Sequence, residues 1–507
     1  MRILLDRQSA VPLYQQIKEH LRQGILSGSL AANTRLPASR QLARDLGVNR
    51  ITVENAYSEL EADGLIFSRM GSGTYVLPTN PLPPVSTGNV ETVWPFWQQS
   101  LPARNVVTKL AATEEMLKDA GHPNPINFAS GISDSRQFPA EEFRKTLQTV
   151  MRRDGIAAMD YGERNGYAPL REGITHILAS QGLQTRPENI LITAGSQQAI
   201  ALVAQTLLKP EDVILVESPT YSIAMELFRA LGFRLIGIPM DKQGMQVEKL
   251  EKLLQQHHPK LIYTIPNFHN PTGTCLNSAR RRQLIVLADR YNVPILEDDF
   301  VGDLRYEGRA QPSLKSLDPG GQVIYVSTFS KMLMPGLRVG FLVADGPVYD
   351  SLFGFKRLSD LATATLIQRA LEAYVTVGRY QAYLRHSCQI FRKRRDAMVM
   401  AIHHYLPAGV SFDPPQGGLH LWLRLPENLS SDELLPLACQ EGVAFAPGSS
   451  YFPEGCGDQG WMRLNFAASS VDEIEEGIKR LGKAIRKLES RDQRIEDSGK
   501  GETESKT

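Results

Sequence analysis

Residues 327–340 read STFSKMLMPGLRVG, and how they are read decides the fold of most of the chain. Lys331 stands just after two hydroxyl residues, Thr328 and Ser330, and Arg338 follows seven positions later between Gly336 and Gly340. The stretch opens where an apolar, β-rich run, VIYVST, comes to an end. Similar runs occur at NILIT, DVILVES, LIYTIP, VPILEDD and GFLVA, and they alternate with longer segments of helical pattern. That alternation predicts an α/β domain over residues 115–485, with a mostly parallel sheet wrapped by helices. After Pro407 the rhythm changes, and GGLHLWLRL and WMRLNFA predict a smaller α+β lobe. The closing residues 486–507 are polar, charged and nearly free of aliphatics, which predicts a disordered tail.

A chain of 507 residues has room for two or three domains of about 100–200 residues each. Its apolar content of 42%, charged content of 22% and formal charge of +1 are ordinary, so bulk composition argues neither for nor against a nucleic-acid partner. The four cysteines, Cys275, Cys388, Cys439 and Cys456, have neither metal-ligand nor disulfide spacing, and the opening MRILLDRQSAVPLYQQ lacks a signal-peptide core. A reducing cytoplasm is expected. No apolar run approaches the roughly 18 residues that span a bilayer, so no membrane role is expected.

Residues 1–78 have a different grammar. Leu13, Ile17, Leu21 and Ile25 recur every fourth position and draw one apolar stripe on a first helix. SRQLARDL follows and stops at Gly47; RITVENAYSELEADG restarts after Asn49, with Val53, Ala56, Tyr57 and Leu60 on one face. Two short helices across a tight turn, followed by the glycine-containing reversal LIFSRMGSGTYV, predict a winged helix-turn-helix, mainly α with a β-wing. Such a unit presents the start and the exposed face of its second helix to the major groove. The candidate contacts are Asn49, Arg50, Thr52 and Glu54, with Arg40 on the preceding helix and Arg69, Gly71 and Ser72 on the wing. Arginine suits a guanine edge or a phosphate. Nine Lys and Arg against seven Asp and Glu in this unit make a weak field, so the case rests on placement. A helical interaction module with solvated arginines is the alternative. Residues 79–114, with PTNPLPP and PVSTGN, read as a semi-extended linker.

A lysine set up like Lys331 can hold an aldehyde cofactor, and the chemistry of pyridoxal phosphate then demands a carboxylate for the ring nitrogen, donors for the phosphate and an aromatic face for the ring. Each is on offer. Thr328, Ser330 and Arg338 form one phosphate set; TAGSQQAI supplies Gly195, Ser196 and Gln197 where a strand turns into a helix. Asp298 ends the strand of ILEDDF, Asn270 in IPNFHNPTG can reach the ring hydroxyl, and Tyr221 in SPTY can stack. Taken singly, each has an ordinary structural reading as a cap, a turn or packing.

The wording of these segments carries two resemblances. LYQQIKEHLRQGILSGSL, RLPASRQLARDLGVNRITVENAYSELEADGLI and GSGTYV closely resemble the winged helix-turn-helix of the GntR family of bacterial transcription regulators, over Pro12–Val76. The ordered set AGSQ, SPTY, NPTG, EDD, TFSK and GLRVG resembles the fold-type I aminotransferases over roughly residues 125–480. Joined through a linker, they resemble the MocR/GabR subfamily. The resemblance implies that Lys331 bonds pyridoxal 5'-phosphate, that Asp298 faces the ring nitrogen, and that Arg338, Thr328, Ser330, Ser196 and Gln197 form the phosphate cup. It further implies that Arg463, in WMRLNFA, binds a substrate or effector carboxylate. Tyr161, in DYGERNGYAPLRE, would reach the phosphate of a partner subunit, which implies a homodimer with sites at the interface. Arg40, Arg50 and Thr52 would touch a double-stranded operator with paired half-sites, with Gly71 on the wing.

The sequence departs from the family at Phe300, where a tyrosine usually donates to the cofactor hydroxyl; Tyr306 is a candidate replacement, with packing as its ordinary reading. Three readings follow: a regulator that senses an amino compound or the cofactor itself through its aminotransferase-like domain, a working aminotransferase with an attached DNA module, and a regulator whose large domain is a dimerisation scaffold. The joint presence of Lys331, Asp298, Arg338 and Arg463 argues against the scaffold.

Overall fold

The computed structural model describes residues 3, 5–7, 9, 11–69, 73–78, 109–453 and 459–504. The chain forms two compact units, Met1–Ala103 and Arg104–Thr507.

In the first unit, the fourth-position stripe buries Ile17, Leu21 and Ile25 on α1 (Leu13–Leu26). They pack with Leu42 and Ala43 of α2 (Ser39–Leu46) and with Val53, Ala56, Tyr57 and Leu60 of α3 (Arg50–Ala62). Gly47 closes α2 in the left-handed conformation, φ 62°, which glycine adopts at little cost. Asn49 opens α3, its side-chain oxygen accepting from the Ile51 N–H at 3.0 Å. Lys18 ties α1 to α3 through Glu59 at 2.9 Å and Asp63 at 3.0 Å. Strands β1 (Ile66–Arg69) and β2 (Gly73–Val76) pair antiparallel, which is the expected wing. Gly71 and Ser72 lie outside the described residues, as does the expected linker from 79 to 108.

The end of that linker is helical. Lys109–Asp119 forms a helix because Thr113 and Leu117, one turn apart, are both buried. The last helix runs from Val471 to Glu504, past residue 486. Ile474, Ile478, Leu481, Ile485 and Leu488 form its buried stripe, and the Glu, Lys and Arg residues between them are good helix formers.

The second unit is built on an eight-stranded sheet. Its order is β4 (Ile190–Thr193), β11 (Gly340–Val343), β10 (Val323–Thr328), β9 (Ile295–Asp298), β8 (Leu261–Thr264), β5 (Val213–Ser218), β6 (Arg234–Asp241) and β7 (Gly244–Met245). Strands β10, β9, β8, β5 and β6 run parallel; β11 is antiparallel to both neighbours, and β7 is antiparallel to β6. Parallel strands covered on both faces should be apolar throughout, and β4, β8, β9 and β10 are buried at every position. The smaller lobe carries the antiparallel order β12 (Ser411–Phe412), β13 (His420–Arg424), β16 (Trp461–Asn465) and β15 (Ala446–Pro447), and the short strands β3 (Ile126–Asn127) and β14 (Val443–Ala444) pair parallel with each other. This agrees with the expected α/β body and α+β lobe. No helix among the described residues is long and apolar enough to cross a membrane.

Leu21 is fully buried at the centre of the N-terminal core. Leu21→Ala is expected to cost that unit about 2–5 kcal/mol, measured as an earlier thermal transition with loss of operator binding. An unchanged melting profile would contradict the packing described.

Candidate functional site

In an open α/β sheet, ligands collect beyond the C-terminal ends of the parallel strands. Five loops of this chain converge there. β4 leads to Ser196, β5 to Tyr221, β8 to Asn270, β9 ends on Asp298, and β10 ends on Thr328, three residues before Lys331. Ser196, Tyr221, Asn270, Asp298, Phe300 and Lys331 line one cavity of about 200 Å³, and Arg463 of β16 joins them from the smaller lobe.

Three acids follow one another at the end of β9, and their hydrogen bonds tell them apart. Glu297 accepts from the backbone N–H groups of Leu314 and Lys315, both at 2.8 Å. Asp299 accepts from Tyr325 at 2.8 Å and Asn267 at 3.1 Å. Asp298 is 2% exposed and receives one bond, from the Tyr263 hydroxyl at 2.8 Å to Oδ2, while its Oδ1 is buried without a partner. A buried, half-satisfied carboxyl is costly unless something completes it. Burial pushes its pKa up to about 7, against the pull of the Tyr263 bond.

Lys331 donates to the Gly131 carbonyl at 2.8 Å. Burial, then the positive charges of Arg463 and Arg338, lower its pKa to about 8, so a sizeable fraction of its amine is uncharged and nucleophilic near neutrality. Arg463, 3% exposed, donates to Asn270 Oδ1 at 2.9 Å and to the Ala129 carbonyl at 2.6 Å, and its Nε is buried without a partner. Asn465, two residues on, donates to the carbonyls of Ser130 and Ile132 at 2.8 and 2.7 Å and pins the loop against which Lys331 rests.

Beside the lysine is a phosphate-sized cradle. The helix Ser196–Leu207 starts at Gly195 with no side chain capping its first turn, which leaves N–H groups for an anion. Gly195 has φ 112°, and a β-carbon there would stand 2.8 Å from Arg338 Nη2; one on Gly340 would stand 2.7 Å from the Gly195 carbonyl carbon. Only glycine allows these close approaches. Arg338 donates to the Ala194 carbonyl at 2.8 Å and to Ser330 Oγ at 3.4 Å, and the Thr328 hydroxyl accepts the Ser330 N–H at 3.1 Å. Thr328, Ser330, Arg338 and Gly195 thus form one connected group next to Lys331 and Ser196, although they do not themselves line the cavity.

Not every expected residue is gathered. Gln197 does not line the cavity; its neighbour Gln198 accepts the Ala194 N–H at 2.7 Å. Tyr161 is 83% exposed and stands apart from the cavity. Tyr306 does not replace the hydroxyl missing at Phe300, because its own is bound to the Gly418 carbonyl and its ring packs on Phe466. Sequence reasoning missed Tyr263, the Gly131 carbonyl and His420. Tyr263 reaches Asp298 because β8 and β9 are neighbours in parallel register, which no local motif reveals. His420 had a signal, as a polar residue opening a buried strand: it lines the cavity at 2% exposure, both ring nitrogens unpartnered, and burial with the charges of Arg463 and Lys331 keeps it neutral.

On the N-terminal unit, Arg40, Arg50 and Arg69 are exposed and Thr52 is half-buried on α3. Arg50 pairs with Glu54 at 2.6 Å with both side chains about half exposed, a contact of only about 0.3–0.5 kcal/mol that a phosphate or base edge can replace. Asn49 caps α3 through its side-chain oxygen, which leaves its amide NH2 group exposed beside Arg50 as a candidate contact.

The donor set fits pyridoxal phosphate: an open carboxyl oxygen on Asp298, an uncapped helix start and glycine cradle with Arg338, and an amine of lowered pKa on Lys331. A family model for class I and II aminotransferases matches residues 123–481, and one for bacterial regulatory proteins of the gntR family matches residues 13–76. An uncharacterized HTH-type transcriptional regulator of Bacillus subtilis, YisV, is 32% identical over 485 residues, which is 95% of this chain and 98% of that protein. The probable rhizopine catabolism regulatory protein MocR of Rhizobium meliloti is 31% identical over 492 residues, 96% of this chain and 97% of its own length. Among solved structures, a kynurenine aminotransferase of Pyrococcus horikoshii shares 35% identity with a TM-score of 0.71, covering 79% of this chain and 98% of that one. The chain belongs to the MocR subfamily of GntR-type regulators, in which a helix-turn-helix domain is joined to a class I/II aminotransferase domain of the pyridoxal-phosphate-dependent kind.

The raised Asp298 pKa predicts a pH effect in the cofactor-free protein. The folded carboxyl titrates at about 7 against an ordinary 3.8, so its contribution to stability is present below about pH 4 and lost as pH rises through 7. Asp298→Asn is expected to flatten that decline by up to roughly 4 kcal/mol, at about 1.4 kcal/mol per unit of pKa, in urea titrations at pH 4, 5.5 and 7. An identical slope in the variant would contradict a buried, protonated carboxyl.

Proposed function

We propose that this protein is a cytoplasmic DNA-binding transcription regulator that senses an amino compound through a pyridoxal-phosphate-holding domain and acts as a homodimer on paired half-sites. The observation that carries the reading is the buried, open Oδ1 of Asp298 in the same cavity as Lys331 and Arg463, on a chain with an exposed arginine at the start of α3. Pyridoxal phosphate, when bound, supplies an electrophilic aldehyde and an electron-withdrawing ring. Lys331 would hold the group through its amine, at the position a ligand amine would contest. Asp298 holds a proton on the ring nitrogen. Ser196, with Thr328, Ser330 and Arg338, neutralises the phosphate, and Asn270 and Tyr221 position the ring. Arg463 takes the ligand carboxylate in a charge-assisted bond. Tyr161, exposed, is available to a partner subunit. Ligand capture at Lys331 biases the conformation of the dimer and with it the operator contacts of Arg40, Arg50 and Thr52.

Phe300 favours sensing over turnover. It lies in the cavity wall with no hydroxyl to offer, and Tyr306 is occupied elsewhere. Amino donor and keto acid together are therefore expected to give a single spectral change without sustained product formation. Many turnovers per site would instead support a working aminotransferase.

Arg50→Ala is expected to weaken specific operator binding by about 1–3 kcal/mol while leaving the visible absorption of the bound cofactor intact. Footprints with and without amines are expected to differ in extent. Identical protection under all ligands, or unaltered binding by the variant, would contradict the proposal.

A further inference from the structure

The charges of the cavity leave a remainder. Among its lining residues are two cations, Lys331 and Arg463, and three acids, Asp298, Glu114 and Glu226. Under the function proposed above, Lys331 and Asp298 are committed to the cofactor and Arg463 to a carboxylate. The two glutamates are then unmatched. Glu114 lies on the helix Lys109–Asp119 and Glu226 on the helix Ser222–Ala230. Glu114 is exposed and Glu226 half-buried, and among the described residues neither forms a hydrogen bond or salt bridge, although other carboxylates in the unit do. Arg229, one turn from Glu226, directs its guanidinium to the Pro453 carbonyl at 2.6 Å. Burial raises the pKa of Glu226 against the pull of the nearby Arg229 charge, so its charged form still lacks solvation that a directly paired cation could restore.

The rest of the wall suits a flexible apolar stem. Ile132, Ile223, Ile265 and Phe300 line the same cavity. Arg463 Nε and both ring nitrogens of His420 are buried in that wall without partners, which marks it as a place built for a polar ligand. A neutral amino acid would leave both glutamates unpaired, and an acidic one would add a third negative charge beside them.

We propose that the effector is an amino acid with a second cationic group, a diamino or guanidino acid, whose carboxylate binds Arg463 and whose distal cation is recognised by Glu226 and Glu114. This rests on the proposed function and adds the class of ligand to it.

Near-isosteric pairs test the charge alone. The full-length, cofactor-loaded protein is titrated with L-lysine against L-norleucine and with L-arginine against L-citrulline, reading the visible band and, in parallel, the heat of binding. At least one charged member is expected to half-saturate at a concentration tenfold or more below its neutral counterpart. In the double variant Glu114→Gln, Glu226→Gln that preference is expected to shrink at least fivefold. Equal affinities within both pairs, a preference for the neutral members, or a preference unchanged in the double variant would overturn the proposal. Loss of the visible band in the wild type would instead contradict the cofactor reading, and the calorimetric ratio between members of a pair would still decide the charge preference.

Discussion

The site depends on a carboxyl that the fold leaves half satisfied. Asp298 sits at the end of a wholly buried strand, takes one hydrogen bond from Tyr263 and has an oxygen in the interior with no donor. Its neighbours Glu297 and Asp299 are equally buried, and each has its oxygens paired with backbone or side-chain donors. An unpaired buried acceptor costs on the order of 1–3 kcal/mol, and a group that brings a donor to it recovers that cost. The convergence of strand ends, the glycine cradle beside Arg338 and the lowered pKa of Lys331 then have one common object.

The N-terminal unit was largely legible because helices and hairpins write periodicity into local sequence. The stripe from Leu13 to Ile25 and the face from Val53 to Leu60 are the buried surfaces of α1 and α3. Asn49 carries two readings for a physical reason: the side chain that accepts from the Ile51 N–H to open α3 is of the same kind that reads a base. In the last helix, composition weighs polar residues equally and so hides Ile485 and Leu488, which are buried among charged neighbours.

Within the large unit, residues at the ends of strands could be read from motifs, since each motif closes a strand of recognisable pattern. Tyr263 and His420 could not be assigned so easily, because their roles arise from which strands become neighbours. β8 lies beside β9, and β13 pairs with β16 so that Trp422 opposes Arg463 and His420 opposes Asn465. Such register is a property of the sheet as a whole. The same holds for Glu114 and Glu226, more than a hundred residues apart in sequence yet on one cavity wall.

Under the proposed function, a covalent handle would give selectivity by chemistry as well as shape: an amine would be needed to take the place of Lys331, and Arg463 would restrict the choice to amines bearing an anion. The most direct test is reduction of the cofactor-loaded protein with borohydride, followed by digestion and mass mapping. The peptide containing Lys331 is expected to carry a pyridoxyl group. Recovery of that peptide unmodified, with the cofactor free or attached to another lysine, would contradict the central claim.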